Sequence, residues 1–185
     1  LINLNTDYLD LLLIHRPDPF MNAAETGAAL DALIDSGKAR AIGVSNFNVW
    51  DWQLLQKHMK HPLVANQIEL SLLNRSAFTD GTLASVQTDN LTPMAWSPLA
   101  GGELFTQTSQ TQRLAPIFKR ISETQDTQLD HIALAWLLAH PANILPIVGT
   151  NNLNRISNIS KAMDVVLDRE TWFELWTAAE GQEVP

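Results

Sequence analysis

The sequence has no cysteine, so disulfides and thiolate metal ligands are excluded and nothing in it calls for an oxidising compartment. The expected location is therefore the cytoplasm. Charge is sparse, at 17% of 185 residues, and tilted to one sign: 20 acidic against 12 basic side chains leave a net charge of −8. That balance repels phosphate backbones and anionic lipid surfaces at long range, so neither nucleic acid nor a membrane is an expected partner. Long apolar runs are also missing. A stretch such as Ile132 to Ala139 falls well short of the roughly 18–20 residues that cross a bilayer. No Gly-x-Gly-x-x-Gly, Walker or Gly-x-Ser-x-Gly pattern occurs. His58 and His61 stand at helical spacing without a third ligand in sight, so no metal is expected. The chain opens at Leu1 with no methionine, basic leader or small-residue cleavage site, so neither a natural start nor a signal peptide is visible.

What is present is apolar material, 45% of the residues, enough for the core of a single domain over residues 1–185. It is arranged as strand then helix, repeatedly, which implies parallel strands with helices packed outside them. Strands are expected at Tyr8–His15, Ala39–Val44, Val64–Leu70, Thr92–Trp96 and Leu145–Val148. The first is apolar almost throughout, as when both faces of a parallel strand are covered. A helix over Ala23–Asp35 carries Ala29, Leu30, Leu33 and Ile34 at helical spacing and is stopped by Gly37. Asn48 is a natural cap for the next, with Phe47 and Trp52 as its apolar staple. After Gly101-Gly102 a polar, flexible loop is expected through Gln112, then helices over Leu114–Thr124, Leu129–His140, Leu153–Ala162 and Glu170–Glu180. Such units fit a doubly wound open sheet or part of an eight-stranded barrel, and a complete barrel needs about 250 residues.

In either architecture ligands gather where the strands end at their carboxyl side. Those exits are polar: His15, Ser45-Asn46, Gln67, Trp96-Ser97 and Gly149-Thr150. His15 taken alone is more often a packed histidine, but at a strand exit it is also an imidazole able to donate to a substrate carbonyl. Ser45-Asn46 is either a polar turn or a hydroxyl-amide pair matched to a carboxamide. Trp96 is either core or an aromatic face for a flat ligand. Gly149-Thr150 precedes a helix near Leu153, whose unpaired N–H groups favour phosphate, with Arg155 adding a cationic fork.

At these residues the chain resembles the aldo-keto reductase superfamily over essentially its whole length. The likeness is carried by Tyr8-Leu9-Asp10-Leu11-Leu12-Leu13-Ile14-His15, by Arg40-Ala41-Ile42-Gly43-Val44-Ser45-Asn46-Phe47, by Asn66-Gln67, by Ala95-Trp96-Ser97-Pro98-Leu99 and by Ile132 to Leu138. The string from Gly43 to Phe47 is the most specific. In order and spacing these stretches are similar to strands four to eight of the family's (β/α)8 TIM barrel. The resemblance thus implies a carboxy-terminal portion, a partial barrel of about five parallel strands with flanking helices, lacking the first three strand-helix units.

It further implies an NADPH-dependent oxidoreductase that reduces aldehydes or ketones to alcohols. His15 matches the substrate-orienting histidine. Ser45, Asn46 and Gln67 match the residues holding the nicotinamide carboxamide, and Trp96 the aromatic stacked on its ring. Ser97 and Leu99 match the loop around the pyrophosphate; Gly149, Thr150 and Arg155 fall at the adenosine-phosphate end. Many members have a basic residue where this chain has Gly149, which admits NADH beside NADPH. The family's catalytic aspartate, tyrosine and lysine have no counterpart in this chain. The single tyrosine, Tyr8, begins the strand that His15 ends, about 23 Å away at strand rise. The fragment is accordingly expected to be inactive alone, with a small carbonyl compound as substrate of the whole. A five-strand sheet with open edges is expected to self-associate or to pair with the missing amino-terminal half. A non-catalytic nucleotide-binding or interaction module of the same fold is the alternative reading. Another barrel enzyme, such as an aldolase, needs an inward lysine at a strand exit, and the strands read here end in none.

Overall fold

The structure, a computed structural model, describes residues 1–184. Its elements alternate in the expected order: β1 (Leu9–Ile14), α1 (Ala23–Asp35), β2 (Ala39–Ser45), α2 (Val49–Lys57), β3 (Leu63–Glu69), α3 (Thr82–Thr88), β4 (Thr92–Trp96), α4 (Ser109–Gln125), α5 (Leu129–Leu138), β5 (Leu145–Pro146), α6 (Leu153–Asn158) and α7 (Arg169–Glu180). Short 3-10 turns lie at Ala100–Phe105 and Ile159–Asp164. The chain forms two compact units, one of Leu1–Ile68 with Phe78–Met94, the other of Glu69–Ala77 with the residues from Ala95 onward.

In the first unit β1, β2 and β3 are parallel neighbours, with Leu13 opposite Gly43 and Ser45 opposite Gln67. An irregularity in the β2–β3 register between Ile42 and Val44 lets β3 come close to Gly43. A Cβ there would lie 2.6 Å from Leu13 Cδ2 and 2.8 Å from the Ala65 carbonyl oxygen, so the strand requires glycine for space. Leu30, Ile42, Val44, Phe47, Trp52, Leu55 and Leu63 form one buried cluster, which is the core of this unit. Asn22 and Asn48 cap α1 and α2, each accepting two backbone N–H bonds through its side chain. Ser36 and a left-handed Gly37 end α1 as the sequence predicts. Asp31, buried on α1, accepts the backbone N–H groups of Lys60 (2.9 Å) and His61 (3.1 Å), tying that helix to the turn before β3.

The second unit is built on α5, whose residues from His131 to Leu137 are all buried, as in a helix apolar on every side. The tail of β3 and β5 flank the end of β4: Leu70 N–H donates to the Trp96 carbonyl and Ile147 N–H to the Ala95 carbonyl. Helix α4 begins at Ser109, five residues ahead of the predicted Leu114, because Thr108 and Thr111 form a reciprocal capping box. The stretch expected as one flexible loop is thus a 3-10 turn followed by a capped helix start. Arg113 of α4 donates to the carbonyls of Ala178 (2.7 Å) and Ala179 (3.0 Å), satisfying the orphan carbonyl end of α7. Buried Arg75 pairs with Glu180 on the same helix.

Candidate functional site

The first unit gathers four of the residues singled out by sequence. Ser45, buried at the end of β2, donates its hydroxyl to the Gln67 carbonyl at 2.8 Å, and the Asn46 backbone N–H donates to the same oxygen at 2.8 Å. The Asn46 side-chain amide then donates to Ser45 Oγ at 3.1 Å and reaches the His15 carbonyl at 3.4 Å. The exits of β1, β2 and β3 are therefore joined by one hydrogen-bonded group. Asn46 sits at φ 60°, in the left-handed region that asparagine tolerates better than most residues. The His15 side chain is exposed at this end. Tyr8 precedes the other end of β1, where the Arg40 guanidinium covers its ring at 3.9 Å and pairs with Asp10 at 2.6 Å.

The remaining six meet in the second unit. Trp96, Ser97, Leu99, Gly149, Thr150 and Arg155 all line one cavity of about 470 Å³, within the range of small-molecule and cofactor sites. Ser97 directly after β4, Ala100 and both following glycines have positive φ, so the chain coils tightly over this cavity. Left-handed non-glycine backbone costs of order 1 kcal/mol or more and tends to cluster where a site is held in shape.

Sequence reasoning missed Phe105, which lines the same cavity and lies 6.0 Å beneath the Arg155 guanidinium. A lone aromatic in an otherwise polar segment was the available signal. Asp130, at the start of α5, brings a carboxylate to the cavity wall, and Ile147 and Ile159 add apolar surface. One expectation changes in detail. Helix α6 has only six residues, and its cap Asn152 already accepts the N–H groups of Asn154 (3.0 Å) and Arg155 (3.3 Å). The helix start thus offers an anion fewer donors than its sequence implied, while the Arg155 guanidinium and the Thr150 hydroxyl both line the cavity.

The two histidines set aside earlier lie in the first unit. His61 Nε2 is 2.8 Å from Asp35 Oδ1, and its backbone serves Asp31. Among the described residues no helix is long and apolar enough to cross a membrane.

Comparison with known proteins adds the following. The sequence profile of the Aldo/keto reductase family matches residues 1–179. The chain is 53% identical over 182 residues to the 6-dehydroglucose reductase of Agrobacterium fabrum, covering 98% of this chain and 61% of that protein. It is 40% identical to the oxidoreductase YdhF of Escherichia coli, covering 100% and 62%. Among solved structures, the thermostable aldo-keto reductase Tm1743, in complex with the inhibitor epalrestat, superposes with a TM-score of 0.86 at 30% identity, over 96% of this chain and 62% of that one. An aldo/keto reductase from Klebsiella pneumoniae, solved with NADP and acetate, gives 0.82 at 27% identity, over 94% and 60%. The chain thus spans about three fifths of the length of the proteins it matches.

Proposed function

The chain belongs to the aldo/keto reductase family, with five parallel strands and flanking helices of that family's barrel type, and from this premise we propose that it forms the cofactor-holding part of an NADPH-dependent oxidoreductase that reduces aldehydes or ketones to alcohols. The observation that carries the reading is the single cavity lined by Trp96, Ser97, Leu99, Gly149, Thr150 and Arg155.

The chemistry of the donor set fits a nicotinamide dinucleotide phosphate. A carboxamide needs both donors and acceptors: the Gln67 side-chain amide carries both, and the Asn46 amide oxygen and the Ser45 hydroxyl oxygen, whose hydrogens are engaged within the group, add acceptors. An aromatic face suits a flat ring, and Trp96 provides it beside the pyrophosphate-sized loop of Ser97 and Leu99. A phosphate at the adenosine end suits Arg155 with Thr150 and the open backbone at Gly149; Gly149 contributes no charge, which admits NADH as the alternative, while the Arg155 guanidinium favours NADPH.

When bound, the cofactor supplies a hydride to the carbonyl carbon. His15 donates a hydrogen bond to the carbonyl oxygen as negative charge develops there, which orients the substrate. Tyr8 lies at the opposite end of β1, engaged with Arg40, so in this reading the proton comes from a residue outside positions 1–185. Two of the matched relatives bear the name 6-dehydroglucose reductase, which makes an oxidised sugar carbonyl the first substrate class to assay. A reducing cytoplasm suits the cysteine-free chain, and the exposed sheet edges favour self-association or pairing with the rest of the protein.

The test is NADPH oxidation with a panel of sugar-derived and simple aldehydes and ketones. The full-length protein turns over and residues 1–185 alone do not; substantial turnover by the 185-residue chain contradicts the assignment of the proton donor. The position of Tyr8 also favours a second reading, a non-catalytic nucleotide-binding module, which stands if the full-length protein binds NADP but reduces no carbonyl. Sedimentation of the 185-residue chain as a clean monomer at micromolar concentration refutes the pairing.

A further inference from the structure

The turn that carries Ser45 and Asn46 is anchored on both sides by β3. Before it, the Gln67 carbonyl accepts from Ser45 Oγ and from the Asn46 N–H, each at 2.8 Å. After it, Asn66 Nδ2 donates to the Phe47 carbonyl at 2.7 Å, a hydrogen bond between two buried groups, with Asn66 only 2% and Phe47 1% exposed. Between these anchors stands Asn46 at φ 60°. Left-handed backbone at a non-glycine residue persists only where its surroundings over-determine it. The register explains why Asn66 can do this: it is opposite Val44 and Gln67 opposite Ser45, so consecutive residues of β3 face the last two residues of β2. The side chain must be short, neutral and a donor. A carboxylate would set acceptor against acceptor, glutamine is one methylene too long for a buried slot, and an apolar residue would leave the Phe47 carbonyl dry and unpaired, a cost that falls on the turn itself.

We propose that Asn66 is a positioning residue: by holding the Phe47 carbonyl it fixes the left-handed turn at Asn46, and through that turn it sets the orientation of the Ser45 and Asn46 groups that take the nicotinamide carboxamide. The proposal rests on the cofactor reading above for its functional half, and its structural half stands independently of it. The effect reaches the cofactor at its nicotinamide end only, since Arg155 and Thr150, assigned to the adenosine end, belong to another set of elements.

The experiment compares Asn66→Ala and Asn66→Asp with the unaltered full-length protein, titrating each with NADP and with adenosine 2′,5′-bisphosphate, which carries the adenosine end but no nicotinamide. Affinity for NADP falls by about tenfold in both variants, as for the loss of one buried hydrogen bond, whereas affinity for the bisphosphate changes by less than about twofold. The KM for NADPH rises more than kcat falls. A parallel loss of both ligands, or no change in either, overturns the positioning role. Should the alanine and aspartate variants fail to fold, Asn66→Ser, which keeps a donor, is measured in their place and shows a smaller loss confined to NADP. If the unaltered protein binds neither ligand, the cofactor reading fails, and the positioning claim is then decided by a crystal structure of an Asn66 variant. Asn46 leaving the left-handed region there upholds the claim, and Asn46 remaining at positive φ refutes it.

Discussion

Trp136 and Trp172 exchange hydrogen bonds: each indole Nε1 donates to the other's backbone carbonyl, at 3.0 and 2.8 Å, while the rings stack 4.7 Å apart and 7° from parallel. Trp176 meets Trp136 edge-on at 6.0 Å and lies tilted against Trp172 at 5.4 Å. Two helices, α5 and α7, are thereby joined by apolar contact and by directional bonds through the same two side chains. Because Trp136 is completely buried, Trp136→Ala is expected to destabilise the protein by about 3–5 kcal/mol. Trp136→Phe, which keeps a ring but loses the donor, costs less, and urea unfolding monitored by circular dichroism measures both.

Asp31 makes stability depend on pH at the acid end. Burial pushes its carboxyl upward, but the N–H groups of Lys60 and His61, with the charges of those residues, outweigh it and hold the group below the ordinary carboxylate value. With the folded value below the unfolded one, its stabilisation is complete above the ordinary carboxylate range and is lost as pH falls through the depressed folded value. Asp31→Asn should cost about 1–3 kcal/mol near neutrality and less in acid. Unfolding midpoints at a series of pH values check this, and a constant penalty from neutral to acid pH would refute it.

His140 acts in a higher window. Burial beside Trp172 holds its imidazole below the ordinary value of 6.5, and Nδ1 accepts the Ala142 N–H at 3.1 Å, a role open only to the neutral ring. The unfolded chain therefore takes up a proton more readily than the folded one. The contribution is full above the ordinary histidine value and declines as pH drops below it toward the lowered folded value. His140→Gln should flatten the thermal-stability profile over that interval relative to the unaltered protein.

Arg155 is the cation assigned to the cofactor's phosphate. Arg155→Ala should weaken NADPH binding by about tenfold or more and NADH binding far less, because a bare ribose hydroxyl has no charge to lose. Arg155→Lys retains part of the affinity but not the planar fork. Equal losses for the two nucleotides, measured by fluorescence titration, would remove Arg155 from that role.

Much of this was legible in the residues. The boundaries of α1 and β4 agree with the sequence reading, since apolar spacing and a Gly37 stop leave little choice for the one and Pro98 shortly after the other closes its strand. Asn48 was legible as a cap because its side chain needs only the two following N–H groups. Helix α3 was not. It has seven residues, few of them apolar, and its cap is Gly81, with the neighbouring Asp80 side chain accepting the Thr82 N–H instead. Strand β5 was read as twice its length because Ile147 and Val148 look like strand residues, yet the strand ends at Pro146: Ile147 keeps one backbone bond to β4, and both residues line the cavity. The strand-exit residues could be named in advance; the part played by Phe105 and by the Asn66 amide depends on contacts between distant positions that no local pattern encodes.

Of the seven non-glycine residues with left-handed backbone among the described residues, the three at the strand exits and the following turn, Asn46, Ser97 and Ala100, differ in what their replacement by glycine should do. At 46 and 97 the change eases the main chain and removes a polar group assigned to the ligand, so thermal tolerance and affinity move in opposite directions. At 100 only a methyl group is given up. Engineering for robustness can therefore begin at position 100, where conformational relief of up to about 1 kcal/mol comes without surrendering any recognition chemistry.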